Sequence, residues 1–183
     1  MRKIIWNLQC SALPAARKYC KKCGAKTTFL CSEQFRVNAQ GKSLDVWLIY
    51  RCSCCDTTWN ATVYTRVAPQ SLSPPLLEAF HSNDQKLAAR YAMDVEFLRR
   101  NGAEISLPDW SVVGEEFSPE EAVELRIQSE FSLPIRVSAV VRSKLKLSAQ
   151  GFSSLLAAGK IKSVPEQDLR KCKVNYGIIL LFQ

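Results

Sequence analysis

Cys20-Lys21-Lys22-Cys23-Gly24 stands near the start of the chain, and Cys52-Ser53-Cys54-Cys55 follows, with 28 residues between Cys23 and Cys52. Two residues between thiols let both sulfurs turn toward one point, and the glycine behind the first pair accepts the unusual dihedrals of such a turn. The gap matches a full hairpin. Phe29, Cys31, Phe35 and Val37 fall at odd positions among mostly polar neighbours, which is the period of a strand. Asn38-Ala39-Gln40-Gly41-Lys42 reads as a turn, and Leu44 to Tyr50 as a central strand, apolar on both faces. Thr57, Trp59, Ala61 and Val63 alternate again. Three antiparallel strands, with one cysteine pair before the first and another between the second and third, predict a ribbon over residues 1–66.

Four thiols paired in this way predict one structural zinc site, ligated by Cys20, Cys23, Cys52 and Cys55 in a tetrahedron with sulfur about 2.3 Å from the ion. Lys21 and Lys22 favour thiolate over thiol. Cys54 can replace Cys52 or Cys55; the two-residue spacing favours the latter two. His81 is the only histidine and falls in a later region. A catalytic zinc keeps an open position and often uses histidine, so the site reads as a closed clamp. Cys10, Cys31 and Cys172 are isolated and read as small core hydrophobes.

The chain has 183 residues, 47% hydrophobic and 23% charged, a globular composition rather than a disordered one. No run approaches the ~18 apolar residues of a spanning helix. Arg2 and Lys3 precede Ile4, Ile5 and Trp6 as in a signal peptide, but Asn7 and Gln9 interrupt the run and Arg17, Lys18, Lys21 and Lys22 soon appear. A cytoplasmic protein is expected, and in a reducing cytoplasm eight cysteines favour metal over disulfides.

Downstream, residues 66–75 are rich in Ser and Pro and read as a linker. Leu76, Leu77 and Phe80 form a helical turn or two. Asn83 or Asp84 caps a helix to about Asn101, with Leu87, Tyr91, Val95 and Leu98 on one face and Gly102 as its stop. Ser118-Pro119-Glu120-Glu121 carries the capping-box signature, predicting a helix to Phe131 or Ser132. Val137, Val140, Val141 and Leu145 line another helix. Ser148 caps a further one, with Phe152, Leu155 and Leu156 inward and Gly159 at its end. Lys173 to Phe182 reads as a hairpin or strand pair around Gly177. The expected fold is therefore α+β in three parts: a three-stranded antiparallel zinc ribbon (1–66), a helical acidic region (67–131) and a small basic α+β module (132–183).

Charge respects the same division. Residues 1–66 carry 11 Lys/Arg against 3 Asp/Glu, residues 67–131 carry 5 against 12, and residues 132–183 carry 9 against 2. Two basic ends are a footprint for a polyanion, although the acidic middle can also neutralise them by packing on them. Arg136, Arg142, Lys144, Lys146, Lys160 and Lys162 gather around the C-terminal helix pair and are candidate nucleic-acid contacts. Arg36, Arg51, Trp47 and Trp59 are candidates on the ribbon.

The residues from Ile135 to Ile161 resemble the alpha-L motif of ribosomal S-four type RNA-binding domains. The likeness lies in Ile135-Arg136-Val137, Leu147-Ser148 and Leu155-Leu156-Ala157-Ala158-Gly159-Lys160-Ile161, with Lys173-Val174-Asn175 and Gly177 beyond. It implies a module that grips structured RNA. The chain as a whole resembles an uncharacterised bacterial family, domain of unknown function 1062. That likeness lies in Cys20-Lys21-Lys22-Cys23, Phe35-Arg36-Val37-Asn38-Ala39, Asp45-Val46-Trp47-Leu48-Ile49-Tyr50-Arg51-Cys52 and Thr58-Trp59-Asn60, and it implies no activity. There is no Gly-rich phosphate loop, no Ser/His/Asp set and no second histidine, so no enzyme is expected. The expected function is a zinc-containing protein that binds structured RNA. The alternative is a protein-interaction adaptor that docks through the ribbon.

Overall fold

The computed structural model describes residues 1–183. In chain order the strands are β1 (Arg2–Cys10), β2 (Ala15–Cys20), β3 (Ala25–Gln40), β4 (Ser43–Cys52), β5 (Thr58–Val67), β6 (Glu104–Ser106), β7 (Trp110–Val113), β8 (Val123–Gln128), β9 (Ile161–Val164) and β10 (Gly177–Phe182). The helices are α1 (Pro74–His81), α2 (Gln85–Ala92), α3 (Val95–Arg100), α4 (Val137–Leu145) and α5 (Ala149–Ala157). Two compact units result, one joining residues 1–11 to 109–183 and the other spanning residues 12–108. Each is built on a five-stranded sheet. The expected plan of a three-stranded ribbon, a helical middle and a small α+β module gives way to this mostly β architecture.

In the 12–108 unit the strand order is β5-β4-β3-β2-β6, antiparallel throughout. On β4 the even positions, Leu44, Val46, Leu48, Tyr50 and Cys52, are buried and the odd ones are not. Phe35 and Ala61 oppose Leu48 on either side, and Phe29 opposes both Cys52 and Ala16, so one face of the sheet is a continuous apolar surface. Phe80 of α1, Ala88 of α2, and Phe97 and Leu98 of α3 cover it. The odd-position pattern on β3 survives a bulge between Cys31 and Phe35 because four steps there match two on β4, so inward parity is kept.

Sequence periodicity does not reveal β2 and β6. The inward residues of β2 are Ala16, Lys18 and Cys20, and a lysine there hides the alternation. Lys18 is on that face because its ammonium has partners: Nζ donates to the carbonyls of Asn101 (2.8 Å) and Gly102 (3.2 Å) and lies 5.0 Å from the Trp59 ring. The expected long helix to Asn101 is two helices. Asp84 accepts from the Leu87 N–H to start α2, and Asp94 accepts from the N–H groups of Glu96 and Phe97 to start α3. Two asparagines fasten the helical layer. Asn83 accepts from the Phe35 N–H at the bulge (2.6 Å), and Asn101 both accepts from the Thr62 N–H (2.6 Å) and donates to the Thr62 carbonyl (3.1 Å) on the open edge of β5.

In the other unit the order is β7-β1-β8-β10-β9, with β1 parallel to β8 and the remaining pairs antiparallel. The N-terminal apolar run is an interior strand, with Ile4, Trp6 and Leu8 buried on one face. The helix expected after Ser118 is absent. The capping-box bonds do form: the Ser118 N–H donates to Glu121 (2.8 Å) and the Glu120 N–H to the Ser118 hydroxyl (3.4 Å). They close only a turn. Val123, Leu125 and Ile127 then alternate, and burial on the sheet outweighs the local helix signal. The expected C-terminal hairpin reduces to β10, which pairs with β8 and β9, while Lys173 makes an isolated bridge to Arg136. Both expected helices of this region are present, with Ser148 capping α5 through the Gly151 N–H (2.9 Å).

A candidate metal centre and a basic surface

The cysteine pairs sit at the tips of two hairpins, β2–β3 and β4–β5. Because β3 and β4 are antiparallel neighbours, both tips lie at the same end of the sheet. Cys20 ends β2 and Cys52 ends β4, both on the inward face and both buried, whereas Cys23 and Cys55 lie further out on their turns. The two turns are copies. The Gly24 N–H donates to the Cys20 carbonyl (2.9 Å) and the Asp56 N–H to the Cys52 carbonyl (3.0 Å). Gly24 and Asp56 hold the same left-handed backbone, φ 65° and 57°. Aspartate is among the few side chains that tolerate it.

Cys20 Sγ stands 3.6 Å from Cys55 Sγ, Cys23 Sγ stands 3.9 Å from Cys52 Sγ, and all four sulfurs lie within 4.8 Å of one another. A tetrahedron of thiolates about 2.3 Å from a central ion has edges of about 3.8 Å, so the four side chains fit one metal ion. All are free cysteines, and Cys54 lies outside the group, exposed beside the Ser53 hydroxyl. Sequence spacing alone leaves its role open. The turn geometry decides it: only with Cys52 and Cys55 as the pair does the residue behind the second cysteine take the left-handed position that Gly24 holds.

Two threonines that carry no sequence signal support the sulfurs. The Thr27 hydroxyl lies 3.3 Å from Cys52 Sγ and, helped by the backbone N–H groups of Cys54 and Cys55, lowers its pKa to about 6. The Thr57 side chain, 3.2 Å from Cys55 Sγ, is the main cause lowering the Cys55 pKa. Cys23 is pushed the other way, upward, chiefly by the neighbouring Cys55 thiol. A metal cation bound here would take the place of such shared protons. Lys21 and Lys22 are exposed on the first turn, cations beside a group that gains negative charge as it ionises. The remaining thiols are elsewhere. Burial raises Cys31 to about 11 and also raises Cys10 and Cys172. His81 is exposed in the last turn of α1, outside the cysteine group.

The six C-terminal cations do not form one free cluster. Lys144 pairs with Glu116 (3.8 Å) and Lys160 with Glu120, while Arg2 pairs with Glu115 and with Glu121 (3.0 Å). The acidic segment before β8 therefore packs on part of the basic surface. Arg142 donates through Nε to the Leu147 carbonyl (3.4 Å). Arg136 before α4, Lys146 at its left-handed C-cap and Lys162 on β9 are exposed and make no ion pair. The two ribbon tryptophans part company: Trp59 faces inward against Phe29, Tyr50 and Lys18, and Trp47 faces the opposite side of the sheet.

No helix is long and apolar enough to cross a membrane. A family described as protein of unknown function (DUF1062) matches residues 37–167, which takes in Cys52 and Cys55 but ends short of Cys20 and Cys23. No curated protein and no solved structure matches the chain.

Proposed function

The chain belongs to the DUF1062 family, which carries no activity with it, and we propose from its own geometry that it is a non-enzymatic, zinc-containing protein that binds structured RNA. The observation that carries the metal is the spacing of four sulfurs within 4.8 Å at the tips of two matched turns. All-thiolate tetrahedral sites select zinc or iron. Zinc is the choice here because the arrangement is a closed clamp, and a redox-inert ion does all that a clamp needs. The RNA reading rests on the basic C-terminal segment, in which Arg136, Lys146 and Lys162 keep uncompensated charge beside α4 and α5. Arg142, Lys144 and Lys160 stand in the same region, the last two in partly exposed ion pairs that phosphate can displace.

Metal analysis of protein purified without added metal should return one zinc per chain. Binding to an RNA hairpin, titrated between about 50 and 200 mM salt, should weaken steeply as counterions reassociate. Arg136→Ala, Lys146→Ala and Lys162→Ala should each lower affinity without changing the preference among hairpins. Absence of binding to any hairpin or duplex at low salt sinks the RNA reading. It would then favour the adaptor reading, with docking through the cysteine-bearing sheet of residues 12–108, where Tyr19 and Leu30 are 60 and 53% exposed.

A further inference from the structure

The helices α1 to α3 cover only the inward face of the sheet in the 12–108 unit. Its other face carries Trp47 and Ile49 half-buried and Leu30 and Tyr19 largely exposed. Register places a cation directly across the ladder from three of these side chains. Arg36 opposes Trp47, Arg51 opposes Leu30, and Lys26 opposes Tyr19. Trp47 and Arg51 are four residues apart on β4, and Leu30 and Lys26 four apart on β3, so the three pairs step across the face at intervals of about 13 Å. Arg36 makes no ion pair. Arg51 and Lys26 are held by Asp56 (3.2 Å) and Glu104 (2.7 Å) in exposed contacts that a phosphate can replace.

A repeated pairing of a flat or apolar side chain with a cation on an open sheet is the arrangement that takes a base and its phosphate together. We propose that this face binds single-stranded nucleic acid, with a base stacked on Trp47, its phosphate on Arg36, and the strand running past Arg51 toward Tyr19 and Lys26. The inference extends the nucleic-acid reading above to a different site, a different form of the ligand and a different set of residues. An acidic peptide would meet the same cations but would lack the flat bases that stack on Trp47 and Tyr19.

The test uses the full-length, metal-loaded chain and two labelled probes, a 12-nucleotide oligouridylate and an RNA hairpin, at low salt. Trp47→Ala should weaken oligouridylate binding by roughly 5- to 100-fold. Trp47→Phe, which keeps a ring and the packing, should stay within about threefold of the native chain. Arg36→Glu should weaken the same probe and flatten its salt dependence by about one phosphate. Hairpin binding should be unchanged in all three. Loss of hairpin binding with a Trp47-dependent oligouridylate interaction retained would remove the C-terminal RNA site and leave this one standing. The proposal is overturned if the native chain does not bind oligouridylate, or if Trp47→Ala and Arg36→Glu both bind it as the native chain does. It is equally overturned if a 12-residue polyglutamate competes as well as unlabelled oligouridylate. Should Trp47→Ala fail to fold, Arg36→Glu decides the matter, and native-like binding of oligouridylate by it overturns the proposal.

Discussion

The two units are both five-stranded sheets with one face covered, yet they close differently. In the unit built from residues 1–11 and 109–183 the interior runs from Ile4, Trp6 and Leu8 through Leu125 and Ile127 to Leu180 and Phe182, with Phe117 bridging Trp6 (5.6 Å) and Phe182 (4.9 Å). In the 12–108 unit the apolar face ends on Cys20 and Cys52, buried side chains that reach their partners across two hairpin tips. Four clustered sulfurs thus close one end of that sheet, while ring pairs such as Phe35 with Phe80 and Tyr50 with Trp59, both at 4.9 Å, pack the rest of its inward face. Aromatic packing is spread over many contacts and degrades gradually, whereas a four-thiolate centre is lost as a unit when one ligand goes. The contrast is open to experiment.

If the four cysteines hold the proposed metal, its removal should have the largest effect. Treatment with a strong chelator, or the substitution Cys52→Ser, should destabilise residues 12–108 by about 4 kcal/mol or more, the range associated with losing a metal site. The melting midpoint of that unit should fall by more than about 15 °C. Cys54→Ser should change neither the midpoint nor the metal content, because its sulfur is outside the group. Hydrogen exchange measured residue by residue separates the two units. Protection of Leu125 and Leu180 should survive the chelator, and its simultaneous loss with that of Leu48 and Tyr50 would show that the two units unfold as one.

The reverse experiment breaks the other unit. Trp6 is fully buried, and its Nε1 donates to the Glu115 carbonyl (2.7 Å), so Trp6→Ala should cost about 3–5 kcal/mol. Gly114 guards the same contact. Its φ is +152°, and a Cβ there would stand 2.4 Å from Trp6 Cδ1 and 2.5 Å from the Ile5 carbonyl oxygen. Gly114→Ala should therefore also destabilise the unit, by about 1–3 kcal/mol from overpacking. Metal content should match that of the native chain in both variants. Metal loss in either would show that the thiolate clamp depends on the aromatic interior.

A smaller loss is expected at the β5 edge. Asn101 makes two hydrogen bonds to the backbone of Thr62 and a third to the Phe97 carbonyl (3.0 Å). Asn101→Ala leaves the Thr62 N–H without that acceptor and should cost about 1–3 kcal/mol. Faster exchange of the Thr62 amide, with the Ala88 and Leu48 amides little affected, would place the damage at the edge. A uniform rise across the unit would mean that Asn101 holds the whole helical layer.

How far the sequence is legible depends on how local each signal is. The two cysteine pairs, the period of β3 to β5, the caps at Asp84 and Ser148 and the helices α4 and α5 depend on neighbours within a few residues, and all are present. β1 and β8 escape a sequence reading because their pairing joins residues 2–7 to 123–128 in parallel, and no short window contains both. The Ser118 box misleads for the same reason. Its local bonds are real, but the conformation of residues 123–128 is decided by pairing with a strand more than a hundred residues away. β2 is hidden by Lys18, whose partners are the carbonyls that end α3. For the candidate centre, spacing finds the four thiols but not Thr27 or Thr57, since a hydroxyl near a sulfur leaves no periodicity. The basic cluster looks freer in sequence than in structure, because Glu116 and Glu120 are remote along the chain from Lys144 and Lys160.

The subtlest difference lies between the two cysteine turns themselves. Gly24 and Asp56 occupy the same left-handed position, and each N–H closes the same bond to the first cysteine of its pair. A residue with a Cβ gives up about 1–2 kcal/mol there relative to glycine, less for aspartate, and glycine loses more chain entropy on folding. Asp56 also forms an exposed ion pair with Arg51, of small worth in water. These terms nearly cancel, so Asp56→Gly should shift the stability of the unit by less than about 1 kcal/mol, toward greater stability if backbone strain dominates. Gly24→Ala meets no neighbouring atom within 4 Å, so its whole effect is the backbone, and it should be destabilising by about 1 kcal/mol or a little more. Chemical denaturation of both variants at matched metal content checks the pair. Opposite signs would show that the turns are equivalent clamps differing only in the residue at the left-handed position. A loss of well over 1 kcal/mol for Asp56→Gly would mean that the aspartate side chain, not its backbone, holds the second turn in place.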